Sequence, residues 1–388
     1  MIDFSKLNIE DAFIEKLQNI HITIPSKVQQ EVIPLLMQGK SLFFESETGT
    51  GKTFAFLLPL LHRYILHNKE DKQQPKIIIL TPTVELAAQI KEEIQKLQLS
   101  QQKIRSLLCI GGASMKYQIE ALKAKPHIII GTPARIADLI NLKKLKTNFV
   151  HAVVIDEADR LLSKELGKDL QRVITELSEA SQWIACSATL KKKEREELLA
   201  LINPNASAKI EFIQMEEEGV LKENIEHWAL FSERRNKIDT LRSFIKAREP
   251  AKFLVFTSPA AQVENIVSKL NFKKLHATPL YSNLDGKERK KMLADFKADR
   301  IRILVTSDLA ARGLDIPDIE YVIQMTLPAD KDFFIHRAGR TGRAGKKGIN
   351  LVIGDAYELK RLKHFEQELG LIIYPKVLRF GKVENPET

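Results

Sequence analysis

The stretch S-E-T-G-T-G-K-T, residues 46–53, has the composition of a phosphate-binding loop. It departs from the pattern G-x-x-x-x-G-K-[ST] only at its first position, where Ser46 stands in place of glycine. Gly49 and Gly51 would let backbone N–H groups approach phosphate oxygens closely. Lys52 could then reach the β- and γ-phosphates, and the Thr53 hydroxyl could bind Mg²⁺. These residue types at this spacing predict a site for a nucleoside triphosphate.

Two carboxylates suited to phosphate chemistry, Asp156 and Glu157, follow the apolar run A-V-V-I at 152–155. If that run is a strand, both carboxylates stand at its carboxyl end, where open parallel sheets bind ligands. Asp156 would bind Mg²⁺, largely through water, and Glu157 would polarise an attacking water. The alternative interpretation is a helix start with acidic residues in its first turn. The phosphate loop upstream favours the catalytic interpretation.

A third candidate group is H-R-A-G-R-T-G-R, residues 336–343, which follows the apolar residues F-F-I. It combines three arginines with interleaved glycines, and guanidinium groups match phosphate oxygens in shape and charge. The alternatives are a basic surface loop, or a contact with RNA alone.

The elements that must position these residues are short apolar runs separated by polar, helix-like segments. Because the runs are continuous rather than alternating, they predict strands covered on both faces, as in a parallel sheet. Strands that alternate with helices indicate βαβ units, so the predicted fold class is α/β throughout. The predicted strands are 42–44, 77–80, 107–110, 127–130, 152–155, 183–186, 253–256, 303–306, 321–323 and 351–353.

The length of 388 residues predicts more than one domain. The strand–helix rhythm breaks near N-P-N-A-S and M-E-E-E-G, between residues 203 and 224. We therefore predict an N-terminal domain at 1–208, a linker at 209–222 and a C-terminal domain at 223–388.

Composition limits the class of protein. Lys and Arg total 60 against 50 for Asp and Glu, giving a net charge of +10 that is compatible with a polyanionic partner. The N-terminal segment lacks the apolar core of a signal peptide, and no apolar run has the length of a membrane span. We therefore expect a soluble, cytoplasmic protein. Cys109 and Cys186 lie in apolar runs and are predicted to be buried thiols, and Trp183 and Trp228 to be core residues.

From about Phe4 to the last apolar strand, the chain resembles the DEAD-box family of ATP-dependent RNA helicases in superfamily 2, as a minimal two-domain core. D-E-A-D at 156–159 and S-A-T at 187–189 carry the resemblance. That family's phosphate loop commonly begins with alanine, so Ser46 is compatible with it. The further matching motifs, in order, are I-P-S-K-V-Q (24–29), P-T-V-E-L-A (82–87), G-G (111–112), T-P-A-R (132–135), V-F-T-S (255–258), T-S-D-L-A-A-R-G-L-D (306–315) and H-R-A-G-R-T-G-R (336–343).

The resemblance implies two tandem RecA-like domains, each a mostly parallel sheet with helices on both faces. It implies ATP and Mg²⁺ as cofactors, and single-stranded RNA or short RNA duplexes as the partner. The protein would contact the RNA backbone, with little sequence specificity. Arg340 and Arg343 would be arginine fingers for the γ-phosphate, and His336 and Arg337 would link D-E-A-D and S-A-T to the site.

Matching the motifs position by position gives the expected site residues. The catalytic group would be Lys52, Asp156, Glu157, Ser187, Thr189, His336, Arg340 and Arg343. ATP would bind to Ile22, Gln29, Ser46, Thr48, Gly49, Thr50, Gly51, Lys52, Thr53, Gly313 and Asp315, and Mg²⁺ to Thr53 and Asp156. RNA would bind to Pro82, Thr83, Gly112, Thr132, Arg135, Thr257, Arg289 and Thr306.

Four positions depart from the family pattern. Ile22 replaces an aromatic residue that stacks on adenine, and Val84 replaces an arginine near the RNA path. Ala134 replaces a glycine, and Gly286 a glutamine three residues before Arg289. We expect intact ATP chemistry, weaker stacking on adenine and an altered grip on RNA.

The resemblance implies an RNA-dependent ATPase that locally unwinds short RNA duplexes or remodels RNA–protein complexes. Ribosome assembly and RNA decay are the expected pathways, and we expect a monomer that a protein partner could target to its RNA. One alternative is an ATP-gated RNA clamp, which the intact Lys52, Asp156 and Glu157 disfavour. The other is a DNA-translocating helicase, which Gln29 and D-E-A-D disfavour.

Overall fold

The computed structural model describes residues 3–47, 49–66, 75–99, 103–202, 209–215, 224–281, 284, 286–308, 319–342 and 346–386. The chain divides into two compact units, Met1–Glu218 and Gly219–Thr388. None of the helices within these ranges combines the length and the apolar character that a membrane crossing requires.

The first unit alternates strands and helices around one sheet. A 3₁₀ turn at Phe4–Leu7 precedes the first helix, and a π turn at His62–Leu66 extends the third. The elements are α1 Asp11–Asn19, α2 Lys27–Met37, β1 Ser41–Glu45, α3 Lys52–Leu61, β2 Ile77–Leu80, α4 Val84–Lys96, β3 Ser106–Cys109, α5 Met115–Leu122, β4 Ile128–Gly131, α6 Pro133–Asn141, β5 Ala152–Asp156, α7 Ala158–Leu161, α8 Gly167–Ile174, β6 Gln182–Ser187, α9 Lys192–Ile202 and β7 Ile210–Gln214.

The described strands of this unit form one seven-stranded parallel sheet in the order β3-β4-β2-β5-β6-β1-β7. Successive side chains point to opposite faces, so Ile77 and Ile79 enter one core while Ile78 enters the other. The first core lies under α1 to α4, and the second under α6 to α9. Apolar cover on both faces explains why the strands are continuous apolar runs.

The second unit repeats this plan. Its elements are β8 Ile225–Phe231, a 3₁₀ turn Arg234–Asn236, α10 Lys237–Arg248, β9 Phe253–Phe256, α11 Gln262–Phe272, β10 Ala277–Leu280, α12 Gly286–Lys297, β11 Ile303–Thr306, β12 Tyr321–Gln324, α13 Lys331–Ala338, β13 Gly348–Gly354, α14 Ala356–Leu369, β14 Ile373–Arg379 and β15 Lys382–Glu384. The sheet order is β10-β11-β9-β12-β13-β8-β14-β15, parallel except for the β14–β15 hairpin.

The predicted α/β class with mostly parallel sheets is confirmed, and three strands (77–80, 253–256 and 303–306) have the predicted bounds. One boundary differs. Residues 210–214, inside the predicted linker 209–222, form β7 and pair with β1 in the first sheet. Their half-exposed I-E-F-I-Q pattern resembles a linker because an edge strand is covered less completely than a central one.

Sequence reasoning also missed β8, β10, β14 and β15. In β10, Pro279 argues against a strand, yet β10 is an edge strand, where proline removes no needed hydrogen bond.

The two cysteines and two tryptophans are core residues, as predicted. Cys109 and Cys186 are free, buried thiols in β3 and β6, and burial raises the pKa of Cys109 to about 12. Trp183 and Trp228 are 1% and 6% exposed.

Gly131, at the end of β4, provides a test of the strand packing that supports the loops at this edge. A Cβ on Gly131 would lie 1.9 Å from the Cys109 carbonyl oxygen of β3, whereas a Cβ on Gly111 would meet nothing within 4 Å. We expect Gly131→Ala to lower the free energy of unfolding by about 2 kcal/mol or more, because backbone must shift. Gly111→Ala is the control and should leave it unchanged in urea unfolding. Equal stability of the two variants would contradict this packing.

Candidate functional site

The carboxyl edge of the first sheet divides the predicted site residues into two halves. The loops after β5, β6 and β1, which are adjacent strands, carry D-E-A-D, S-A-T and the phosphate loop. The loops after β3, β4 and β2, also adjacent, carry 111–112, 132–135 and 82–83. The sheet order thus separates the expected nucleotide residues from the expected RNA residues along one edge.

The phosphate loop is braced by its own side chains. The Lys52 ammonium donates to the carbonyl oxygens of Ser46 (2.6 Å) and Glu47 (3.0 Å), which leaves one N–H for a ligand. The Thr50 hydroxyl donates to the Glu47 carbonyl at 2.9 Å, so Ser46, whose hydroxyl lies 2.7 Å away, donates to Thr50. Neither glycine nor alanine at position 46 could make this bond. Ser46 therefore stiffens the loop.

Glycine is required at two positions of the loop. Gly49 and Gly51 have φ values of +85° and +94°, in the left-handed region that favours glycine. A Cβ on Gly51 would also lie 2.5 Å from the Gln29 side chain. Thr53 follows Lys52 in the first turn of α3, and Thr48 lies outside the described residues.

Gln29 connects α2 to the phosphate loop. Its amide oxygen accepts from the Ser26 backbone N–H (3.0 Å), and its amide nitrogen donates to the Gly51 carbonyl (3.1 Å). Gln29 is buried, and its amide retains one N–H for a further partner. Ile22 packs half-buried against the first core. Recognition of adenine by these two residues stays a prediction.

Asp156 is a buried carboxylate at the end of β5. Its Oδ1 accepts from the Cys186 thiol (3.1 Å) and from the Glu157 backbone N–H (3.0 Å). Burial, and secondarily the Glu157 charge, raise the pKa of Asp156 to about 6, while Cys186 and Lys52 oppose the rise. A bound cation would favour the ionised carboxylate.

The Asp156 carboxylate and the Thr53 hydroxyl would supply only part of the ligands of a Mg²⁺ ion. Both hydrogen bonds that the described residues give to Asp156 end on Oδ1, so Oδ2 could accept a hydrogen bond from a water bound to a cation. Among the described residues, no group of three or more His, Cys, Asp or Glu could hold a metal. One carboxylate and one hydroxyl suit Mg²⁺, which keeps several waters and binds substrate phosphates.

Glu157 has a left-handed backbone, with φ +50° and ψ +55°. That conformation is uncommon for a non-glycine residue and is typically maintained at functional sites by the surrounding structure. It turns the chain sharply from β5 into α7, so Glu157 stands at the turn itself.

Asp159, the last residue of D-E-A-D, joins two loops of the nucleotide half. The Ser187 hydroxyl lies 2.6 Å from Asp159 Oδ1 and 2.7 Å from the Thr189 carbonyl oxygen, and accepts from the Thr189 backbone N–H at 3.2 Å. The Ser46 backbone N–H donates to the Ser187 carbonyl at 3.0 Å. Ser187 thus contacts both D-E-A-D and the phosphate loop.

In the RNA half, Arg135 donates from Nη1 to the Ala113 carbonyl at 2.9 Å, which ties the loop after β4 to the loop after β3. Gly112, with φ +77°, is exposed in that loop. Thr132 and Pro133 begin α6.

Thr83 caps α4 by accepting from the Leu86 N–H at 3.2 Å, and Pro82 precedes it, half-buried. Val84 is the first residue of α4. The predicted RNA residues of this unit therefore lie together.

In the second unit, Arg337 is a buried guanidinium with several partners of its own unit. Its guanidinium donates to both carboxylate oxygens of Asp308 at 2.6 Å and to the Thr326 carbonyl at 2.6 Å, and it is 2% exposed. Arg337 therefore fixes the interior of this unit, and its link to D-E-A-D and S-A-T stays a prediction. His336 is buried in α13, and Arg340, which donates to the His336 carbonyl, is half-exposed.

The predicted RNA residues of the second unit are largely buried. Thr257 follows β9, and Thr306 ends β11 with its hydroxyl within 3.3 Å of the Leu280 carbonyl. Arg289 donates to the Tyr281 carbonyl at 3.1 Å. Their RNA contacts stay predictions, and Gly313, Asp315 and Arg343 lie outside the described residues.

Two residues of the site were missed by sequence reasoning. Asp159 lies in D-E-A-D, so the motif itself was the available signal. Cys186 was predicted only as a buried thiol, and its bond to Asp156 crosses between β6 and β5, which no local pattern indicates.

Two family descriptions match the chain. "DEAD/DEAH box helicase" matches residues 26–198, and "Helicase conserved C-terminal domain" matches residues 236–345. The DEAD-box ATP-dependent RNA helicase CshC of Bacillus cereus is 36% identical over 348 residues, covering 89% of this chain and 86% of CshC. YfmL of Bacillus subtilis, a probable ATP-dependent RNA helicase, is 35% identical and covers 93% of each chain.

Among solved structures, Dbp5 of S. cerevisiae bound to RNA and ADP BeF3 is similar with a TM-score of 0.83 and 26% identity. The match covers 96% of this chain and 95% of Dbp5.

The link from Gln29 to the phosphate loop can be tested by Gln29→Glu. This change removes the donor to the Gly51 carbonyl and adds a negative charge beside the loop, so we expect ATP binding to weaken about tenfold or more. The measurement is titration with a fluorescent ATP analogue. Gln30→Glu is the matched control, because Gln30 donates to the Pro25 carbonyl and not to the loop. Equal losses in both variants would contradict the link.

Proposed function

The chain belongs to the DEAD/DEAH box helicase family and is an ATP-dependent RNA helicase, and we propose that it separates short RNA duplexes locally or remodels RNA–protein complexes. The two family matches and the identity to CshC confirm the resemblance seen in the sequence. The observation that supports the proposal is the strand order of the first sheet, which separates the residues expected to bind nucleotide from those expected to bind RNA along one edge. Because the halves are adjacent, a change at one can alter the other over a short distance.

For hydrolysis, we propose roles that follow from the contacts of the nucleotide half. Lys52 would turn its remaining N–H toward the β- and γ-phosphates, held in place by its two carbonyl partners. Glu157 would orient the attacking water. Thr53 and Asp156 would hold Mg²⁺, largely through water, and the cation would neutralise charge on the phosphate oxygens.

The second unit would supply further groups. We propose Arg340 and Arg343 as arginine fingers, His336 as their support, and Gly313 and Asp315 as ribose contacts. Hydrolysis would then need residues of both RecA-like domains, so ATP and RNA would favour the same state and tighten each other's binding.

RNA would be held by its phosphates and 2′-hydroxyls, with little dependence on base sequence. We further propose that the protein acts as a cytoplasmic monomer, with a protein partner or the core surface selecting the RNA, in ribosome assembly or RNA decay. The ATP-gated clamp is the second candidate. A clamp would not need Glu157, Asp156 and Lys52 together. The sequence retains all three, which disfavours the clamp.

Steady-state ATP hydrolysis tests the proposal. We expect single-stranded RNA to stimulate the wild type strongly. Glu157→Gln should lose about a hundredfold or more of the stimulated rate, because the water is no longer polarised, while still binding ATP. An RNA clamp would instead show RNA binding without stimulated turnover, and stimulation by DNA equal to that by RNA would favour the translocating helicase.

The departure at Val84 gives a separate test on RNA. Val84→Arg adds a cation at the RNA half, so we expect RNA affinity measured with a nonhydrolysable ATP analogue to rise by about fivefold. Leu142→Arg is the matched control, because Leu142 is an exposed residue at the far end of α6, on the opposite edge of the sheet. Equal gains in both variants would show nonspecific attraction only.

A further inference from the structure

The C-terminal hairpin of the second unit ends in an unusual tip. Strands β14 and β15 pair antiparallel, with Leu378 opposite Val383 and Arg379 opposite Lys382, which leaves Phe380 and Gly381 as the two-residue turn. Leu378 and Val383 pack against the unit's core, so the hairpin is anchored just below its tip. The match to the helicase C-terminal description ends at residue 345, well before this hairpin.

The residue types at the tip are poor choices for folding. Phe380 has φ +49° and Gly381 φ +76°, as in a type I′ turn, whose first position favours Asn, Asp or Gly. A bulky aromatic residue in the left-handed region is an outlier, and here its ring is also fully exposed. Arg379 and Lys382 place like charges directly opposite each other, which is destabilising in a strand pair. Three unfavourable features at one tip indicate selection for a ligand rather than for stability.

The Phe380 ring differs from three other exposed aromatic rings of this unit, although the exposed Phe231 ring, like it, has no cation over its face among the described residues. Phe272, Tyr357 and Tyr374 each have a cation over the ring, at 5.2, 5.9 and 5.8 Å. Among the described residues, no cation lies over Phe380. Its face is therefore open for stacking.

The tip lies at the carboxyl edge of the second sheet. Phe256, Gln324, Val352, Ala229 and Pro375 stand in register across the sheet. Arg379 lies four residues past Pro375, or about 13 Å further along β14. Four strand spacings separate β9 from β14, or about 19 Å. Thr257, which follows β9, and Thr306, which ends β11, are two predicted RNA residues at this same edge.

We propose that the Arg379–Lys382 tip is an accessory RNA site, in which Phe380 stacks on a base and the two flanking cations bind phosphates. Aromatic rings beside Arg and Lys are the usual means of holding unpaired RNA. The proposal rests on the proposed function, since RNA is the polyanion this chain is built to act on. The tip would hold a strand that extends past the core and so select longer or structured RNA.

The test uses the full chain and its variant Phe380→Asn. Asn-Gly is the preferred pair for this turn, so Phe380→Asn should fold at least as stably as the wild type while losing the ring. We expect the affinity for a long single-stranded RNA, measured by fluorescence anisotropy without nucleotide, to fall about tenfold. Phe380→Trp should retain it. Hydrolysis at saturating RNA should be unchanged in both variants.

Two controls sharpen the result. Phe272→Ala removes an exposed ring beside Lys273 and Lys274, at the opposite edge of the sheet, and should leave RNA affinity unchanged. The double variant Arg379→Gln with Lys382→Gln should reduce the slope of log affinity against log salt by about 1.4, for two phosphate contacts on a single strand.

The outcomes separate this proposal from the proposed function. Wild-type RNA affinity in Phe380→Asn, with RNA-stimulated hydrolysis intact, would overturn the accessory site alone. If Phe380→Asn loses RNA affinity while RNA fails to stimulate ATP hydrolysis by the wild type, the accessory site would be supported and the helicase mechanism overturned. Binding to anionic lipid vesicles that depends on Phe380, with RNA binding unchanged, would reassign the tip to a membrane surface.

Discussion

Parallel strands all end at the same edge of their sheet, and the predicted site residues of the first unit, apart from Ile22 and Gln29, depend on this constraint. Residues 46–53, 156–159 and 187–189 are far apart in sequence, yet they meet because β1, β5 and β6 are neighbours in the sheet. The constraint requires crossover helices on both faces, and those helices in turn require continuous apolar strands. Fold and site therefore depend on the same residues: the strands that form the core also fix where each loop begins.

Within that edge, the nucleotide half is held ready by groups that are costly to bury. Asp156 is 7% exposed and close to Glu157, yet a thiol, a backbone N–H and the Lys52 charge favour its ionised form. Lys52 is held by two carbonyl oxygens of its own loop. If phosphate and a cation bind here as proposed, such an arrangement would need little reorganisation, and pre-organised charge is the main source of catalytic power in phosphoryl transfer.

The second unit uses its buried charges differently. Arg337 is bound on several sides by Asp308, Gln324 and the Thr326 carbonyl, and it stacks over Phe256 at 5.3 Å. A guanidinium so fully bonded is a structural group, whereas Arg340 of the same motif is more exposed. One arginine-rich motif thus contributes both a fixed interior and an exposed cation. At the tip of the C-terminal hairpin, by contrast, the stability of the fold does not explain the exposed residues Arg379, Phe380 and Lys382.

The sequence by itself determined the fold class, six of the seven described strands of the first sheet and half of the eight of the second, and it predicted the nucleotide residues, because apolar period and motif spacing are local properties. It also located Ser46 and Glu157, but not what they do: the Ser46–Thr50 brace and the left-handed Glu157 turn are set by the folded loops. Tertiary structure alone decided the bonds from Ser187 to Asp159 and from Cys186 to Asp156, and placed β7 in the first sheet. These features join segments whose neighbourhood depends on strand order, and strand order arises from how the crossovers pack rather than from any residue's local preference.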